Sequence, residues 1–163
     1  MQTKYTITIL AENEPGVLYR MSDLFLRRKI NLDSLTVSES EQPNISRFTL
    51  VVRGDKIKIE QTVKQLYRII EIVKAYESQD HDLIFKELAF IKVSTKNANS
   101  RREVSDIVTL SQGKIEHVGK DYLVVEKSGT EEQIDTLYEL LKPFGIKEFV
   151  RSGRIAVLKT PAD

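Results

Sequence analysis

The chain has no cysteine and no tryptophan, and only 4 prolines and 7 glycines among its 163 residues. Without cysteine there is no disulfide, no thiol nucleophile and no thiolate metal site. Charge of one sign is also missing: 25 basic against 24 acidic residues leave a net charge of +1, no field that would gather nucleic acid or an anionic membrane. No run approaches the roughly 20 apolar residues needed to span a bilayer. The short apolar stretch near the N-terminus, between Lys4 and Glu12, lacks the form of a signal peptide. The expectation is a soluble cytoplasmic protein that engages neither membrane nor nucleic acid. Its basic clusters, Arg27-Arg28-Lys29 and Arg101-Arg102, have acids nearby (Asp23, Glu103) and read as solvated helix faces.

What is present is 40% hydrophobic residues, enough for a real core, in a pattern that occurs twice. Tyr5 to Leu10 alternates and is rich in β-branched and aromatic residues, a strand signal. Pro15 suits a first helical turn, and Val17, Met21, Leu24 and Phe25 follow at helical spacing. Leu32 to Glu39 and Ser46 to Arg53 read as strands about a polar loop, Ile59, Val63, Leu66 and Ile70 as a second helical stripe, and Ile72 to Ser78 as a closing strand. The second half repeats the order. Glu87 to Thr95 is a strand, Val104, Ile107 and Val108 stripe a helix, and Lys114 to Val118 with Tyr122 to Lys127 forms a hairpin. Ile134, Leu137 and Leu141 stripe another helix, Ile146 to Val150 ends the repeat, and Arg154 to Leu158 adds a short edge strand. The fold class is therefore α+β, two ferredoxin-like βαββαβ domains of roughly 80 residues each. The join lies near Gln79-Asp80-His81-Asp82, so residues 1–78 form the first domain and 79–163 the second.

A reaction centre is hard to assemble from these residues. His81 and His117 lack the i,i+4 partner of a metal site, and Ser22, Ser34 and Ser152 occur in no nucleophile-elbow pattern. Neither glycine-rich phosphate motif is present. The ferredoxin-like order also serves RNA-binding modules, which stack bases on central-strand aromatics, but here those strands offer Phe48 alone. Catalysis and RNA binding are both disfavoured.

One stretch stands out, Glu12-Asn13-Glu14-Pro15-Gly16, where a strand must turn into a helix. Gly16 bares the backbone, the first helical N–H groups point outward to receive a carboxylate, and Asn13 offers both donor and acceptor to a zwitterion. Asn31 would join them if the next strand ran back beside the first, with Val17, Leu18 and Leu32 as apolar walls. The plainer reading is that Asn13 and Gly16 only shape the turn. Glu12 and Glu14 are open to two readings as well, as partners of an ammonium group or as acids that complement the helix dipole.

The segments Asn13-Glu14-Pro15-Gly16-Val17-Leu18 and Lys29-Ile30-Asn31-Leu32-Asp33-Ser34-Leu35-Thr36-Val37 resemble the N-terminal ACT domain of acetolactate synthase regulatory (small) subunits. Pro43 with Ser46-Arg47-Phe48-Thr49, then Lys86 to Val93 and Arg151-Ser152-Gly153, continue the resemblance in order along nearly the whole chain. The resemblance implies a subunit without an active site or cofactor of its own. Its large catalytic partner uses thiamine diphosphate, Mg²⁺ and FAD to condense two pyruvates, or pyruvate with 2-oxobutyrate. It implies stimulation of that partner and feedback inhibition by a branched-chain amino acid, valine in most of the family, bound at the interface of a homodimer whose ACT sheets pair side by side. Carried over by position, Asn13, Gly16 and Asn31 are effector-site residues, with Val17, Leu18 and Leu32 added as walls. Residue types alone do not separate valine from leucine or isoleucine, because one methylene is worth roughly 1–3 kcal/mol and only in a tight pocket. The alternative is an ACT-type amino-acid sensor that regulates another enzyme, such as an amino-acid kinase or dehydrogenase.

Overall fold

The computed structural model describes residues 3–160. Contacts divide them into two units, one of the residues up to Phe85 together with those from Gly153 onward, the other of Lys86–Ser152.

In the first unit, β1 (Thr3–Glu12) leads through α1 (Val17–Arg27) to β2 (Leu32–Glu39) and β3 (Ile45–Gly54), and α2 (Lys56–Leu66) leads to β4 (Ile72–Ser78). The sheet order is β2-β3-β1-β4, with antiparallel neighbours throughout. Val17, Met21 and Phe25, one helical turn apart, bury against Ile7, Ile9 and Leu50 of the sheet. α2 starts at Asp55, whose carboxylate accepts from the N–H groups of Ile57 (3.0 Å) and Lys58 (3.3 Å). α2 ends four residues before Ile70, which the sequence pattern placed on its stripe. The chain turns at Tyr67–Ile69, Ile69 takes the inward place, and Ile70 is 95% exposed.

The second unit repeats the order. β5 (Leu83–Ser94), which begins in the first unit, is followed by α3 (Ala98–Leu110), β6 (Lys114–Val118), β7 (Tyr122–Gly129), α4 (Glu131–Leu141) and β8 (Ile146–Arg151), with sheet order β6-β7-β5-β8. Asn97 with Ser100, and Thr130 with Gln133, cap α3 and α4 reciprocally. Val104, Val108, Leu137 and Leu141 pack on Ile91, Val93, Leu123 and Val125. Both βαββαβ units match the expected fold class.

The expected join at residues 79–82 is a single 3-10 turn, Asp80–Asp82. The compact units break later, after Phe85, and the tail does not stay with the second repeat. The tail strand β9 (Ile155–Leu158) pairs with β5, and the residue after Leu158, Lys159, donates its N–H to Asp82 O at 2.9 Å. The physical reason is Arg154, only 1% exposed. Its Nη1 donates to Thr6 Oγ1 (3.0 Å) and Asp80 Oδ1 (2.5 Å), and its guanidinium lies 3.8 Å from the Phe85 ring centre. Its carbonyl accepts from Thr36 Oγ1 (3.0 Å), and that of Ala156 from Arg47 Nη2 (2.9 Å). Thr6 and Thr8, on the sheet face away from the helices, are therefore buried as deeply as Ile7 and Ile9. Gly153 is needed for the approach, since a side chain there would collide with Thr36 Oγ1 and stand 3.0 Å from the Leu35 carbonyl.

Arg154→Ala is expected to lower stability by about 2–3 kcal/mol, less than the ~3–5 kcal/mol of a fully buried pair because Asp80 is half exposed. Denaturant unfolding of the whole chain measures it, and Arg154→Lys should recover part of the loss. A fragment ending at Ser78, which lacks Asp80, Phe85 and Arg154, should unfold at a lower denaturant midpoint than the whole chain.

Candidate functional site

The turn from β1 into α1 is fixed at both ends. Glu12 N–H donates to Glu71 O (2.9 Å) and Asn13 N–H to Asn44 O (2.8 Å), which ties the turn to β4 on one side and to the β2–β3 hairpin on the other. Gly16 is the N-cap residue of α1, with φ 86°, and no side chain caps the helix. The first helical bond is Arg20 N–H to Gly16 O at 3.0 Å. The left-handed backbone favours glycine here, and a β-carbon would lie 3.3 Å from Arg20 Nη1, part of a guanidinium that forms an ion pair with Glu71. No acid lies in the first turn of α1.

Asn13 and Gly16 are exposed, as expected of a binding turn. Val17 is not an open wall: its side chain is 2% exposed and belongs to the core, and only its backbone lies at the turn. Leu18 is 44% exposed, and Leu32 is half-buried against the core. Asn31 is exposed, but at the far end of the sheet. Leu32 pairs with Val52, which pairs with Tyr5 of β1, whereas Glu12 pairs with Ile45. Tyr5 and Glu12 are seven positions apart, roughly 23 Å at about 3.3 Å per residue. The condition set by the sequence, a second strand running back beside the first, is not met: β3 stands between β1 and β2, antiparallel to both, so β2 runs parallel to β1. One chain does not bring Asn31 to Asn13 and Gly16.

Between Asn13 and the β2–β3 hairpin lies a polar cavity of about 260 Å³, lined by Asn13, Glu39, Ser40, Gln42 and Asn44 among others. Sequence reasoning placed the hairpin but not its polar loop beside Asn13, because isolated polar loop residues carry no periodic signal. Among the described residues no cluster of histidine, aspartate and glutamate is able to hold a metal ion, and no helix is long and apolar enough to cross a membrane. His81 is exposed beside Asp82, and His117 stacks on Tyr122 with ring centres 5.9 Å apart.

A family model described as the AHAS small subunit-like ACT domain matches residues 7–74, and one described as the small subunit of acetolactate synthase matches residues 86–160. The acetolactate synthase small subunit of Aquifex aeolicus is 42% identical over 154 residues, covering 94% of this chain and 80% of that one. The chain belongs to the acetolactate synthase small-subunit family. The small subunit of Mycolicibacterium smegmatis is 38% identical over 157 residues, covering 96% of this chain and 92% of its own length. The crystal structure of the Thermotoga maritima small subunit superposes with a TM-score of 0.88 at 31% identity, over 98% of this chain and 99% of that one. Membership among small subunits implies a larger catalytic partner.

Gly16→Ala forces a β-carbon into the left-handed region and against Arg20, and is expected to destabilise the chain by about 1–2 kcal/mol. The shift of the denaturant midpoint, at unchanged slope, checks it.

Proposed function

We propose that this chain is the non-catalytic regulatory subunit of acetolactate synthase: it raises the activity of the large subunit and makes it sensitive to feedback inhibition by a branched-chain amino acid, valine foremost. Thiamine diphosphate, Mg²⁺ and FAD serve the large subunit. The observation that carries the effector reading is the topology, with Asn13 and Gly16 at one end of the sheet, Asn31 at the other, and β2 at its edge. If two copies pair β2 edge to β2 edge about a two-fold axis, the strands run antiparallel. The end of each β2 that carries Asn31 then lies beside the opposite end of its partner's β2, next to the partner's turn. Two sites result, each built from Asn13 and Gly16 of one copy and Asn31 of the other.

Two further observations support the seam. An edge strand presents unpaired backbone groups that a second strand satisfies. α1, the crossover from β1 to β2, lies toward that edge and carries Leu18, Tyr19 and Leu26, which are 44%, 77% and 74% exposed, on one face. An effector held between two copies favours the arrangement that holds it, and its differential binding energy shifts that equilibrium.

The test mixes purified chain with a cognate large subunit and follows acetolactate from pyruvate. Stimulation, and its reversal by valine, are expected; the absence of both would overturn the regulatory reading. Gly16→Asp and Asn31→Ala should each lose valine inhibition while still stimulating the large subunit. Mixing the two variants makes a sharper measurement. In a mixed dimer one site carries both lesions and the other carries neither, so about half of the valine sites per mixed dimer should return. A site contained in one chain would regain nothing on mixing.

A further inference from the structure

The cavity beside Asn13 has a charge preference that the proposed effector site leaves unassigned. β2 alternates: Leu35 packs against the core beneath the helices, while Thr36 turns its hydroxyl to Arg154 O on the opposite face. Val37 and Glu39, two and four residues beyond Leu35, therefore share the helix-bearing face with the Gly16 turn. Val37 is 44% exposed, and Glu39 stands at the rim of the cavity. The hairpin that holds it is closed by Ser40 N–H to Ile45 O (2.8 Å) and joined to the turn by Asn13 N–H to Asn44 O (2.8 Å). Among the described residues no ion pair or hydrogen bond engages the Glu39 carboxylate. The other charges around the turn, Glu12, Glu14 and Glu41, are also negative and exposed, and the nearby cation Arg20 is engaged by Glu71.

We propose that Glu39 supplies the counter-charge for the ammonium group of the bound amino acid, which makes it a specificity-determining residue of the effector site. This rests on the effector reading above. The zwitterion is then split between two surfaces. Val17 N–H donates to Glu14 O (3.4 Å), so the ligand's carboxylate meets the next N–H groups, of Leu18 and Tyr19. Its ammonium meets Glu39 and the amide oxygen of Asn13, and its side chain lies toward Val37 and Leu18. A carboxylate placed in the cavity instead would face Glu39, so this acid also fixes the ligand's direction.

Calorimetric titration of valine into the whole chain bound to its large subunit tests the assignment. A charge-assisted hydrogen bond is worth enough that Glu39→Gln should weaken valine binding roughly tenfold, while Glu39→Asp, which keeps the charge, should recover most of it. Sedimentation of Glu39→Gln should show the same oligomer as the native chain. Valine affinity unchanged in Glu39→Gln, equal loss in Glu39→Asp, or an oligomer that falls apart would each overturn the role, the last by making Glu39 a partner of the second copy rather than of the ligand. Asn31→Ala separates the two levels. If it loses valine while Glu39→Gln does not, only the assignment of Glu39 fails; if it too keeps full affinity, the effector site is elsewhere and both fail.

Discussion

Strand β3 lies between β1 and β2 and is antiparallel to both, and the consequences of that placement run through the first unit. It makes β1 and β2 parallel, so the chain must cross the length of the sheet through α1 before β2 begins. Eleven helical residues span about 16 Å at ~1.5 Å each, most of the way from the Gly16 turn to Asn31. It also leaves β2 at the edge, with backbone groups facing outward. A site that needs both Asn13 and Asn31 is thus incomplete in one copy, and of the two edge strands, β2 and β4, β2 is the one whose pairing would complete it. On the proposed reading, association and ligand binding are one geometric requirement.

The opposite face of the same sheet is closed by different means. An antiparallel sheet with helices on one side commonly leaves its other side to water, yet Thr6 and Thr8 are buried on that side because Arg154 and the strand after it lie across β1, β2 and β3. A buried guanidinium is tolerated only with partners, and it has Asp80 and Thr6 as well as the Phe85 ring. The chain passes between the two units twice, at Phe85–Lys86 and at Ser152–Gly153.

Much of this was legible beforehand. Alternation and helical spacing placed the eight repeat strands and four helices, with β2, β4 and β6 bounded to the residue. Gly16 was legible as a backbone position, and its φ of 86° gives the reason. Four features were not. Ile70 continues the apolar period of α2, but periodicity does not register that Tyr67 already ends the helix. Arg154 reads as the first residue of a short edge strand, because nothing local says that residues far away in sequence, Thr6 and Asp80, will enclose it. The end of the sheet at which Asn31 emerges depends on strand order rather than on strand pattern, and a pattern of apolar residues is the same for either order. Glu39 escaped notice for a related reason: its face on β2 follows from Leu35, but its nearness to Asn13 follows from the pairing of β1 with β3.

The two closures of the first sheet meet on one strand. β2 is the edge of the proposed seam, and it is also the strand whose Thr36 hydroxyl and Leu35 carbonyl lie against Gly153 and Arg154. Side chains on a strand alternate with period two, so a slip of one residue at the seam would exchange its faces. Such a strand has discrete positions rather than a continuum. Burying a valine side chain is worth roughly 1.5–3 kcal/mol, the same range as typical coupling free energies of about 1–3 kcal/mol, or 5–150-fold in an equilibrium. On the proposed reading, an effector whose side chain is buried in only one arrangement of the seam carries enough energy to favour that arrangement. Any change of placement has to be accommodated at the Thr36–Arg154 contact, two residues from the point where the chain enters the second unit. On the proposed reading, that short covalent path, anchored by a buried arginine, is the physical route from the seam to the second unit.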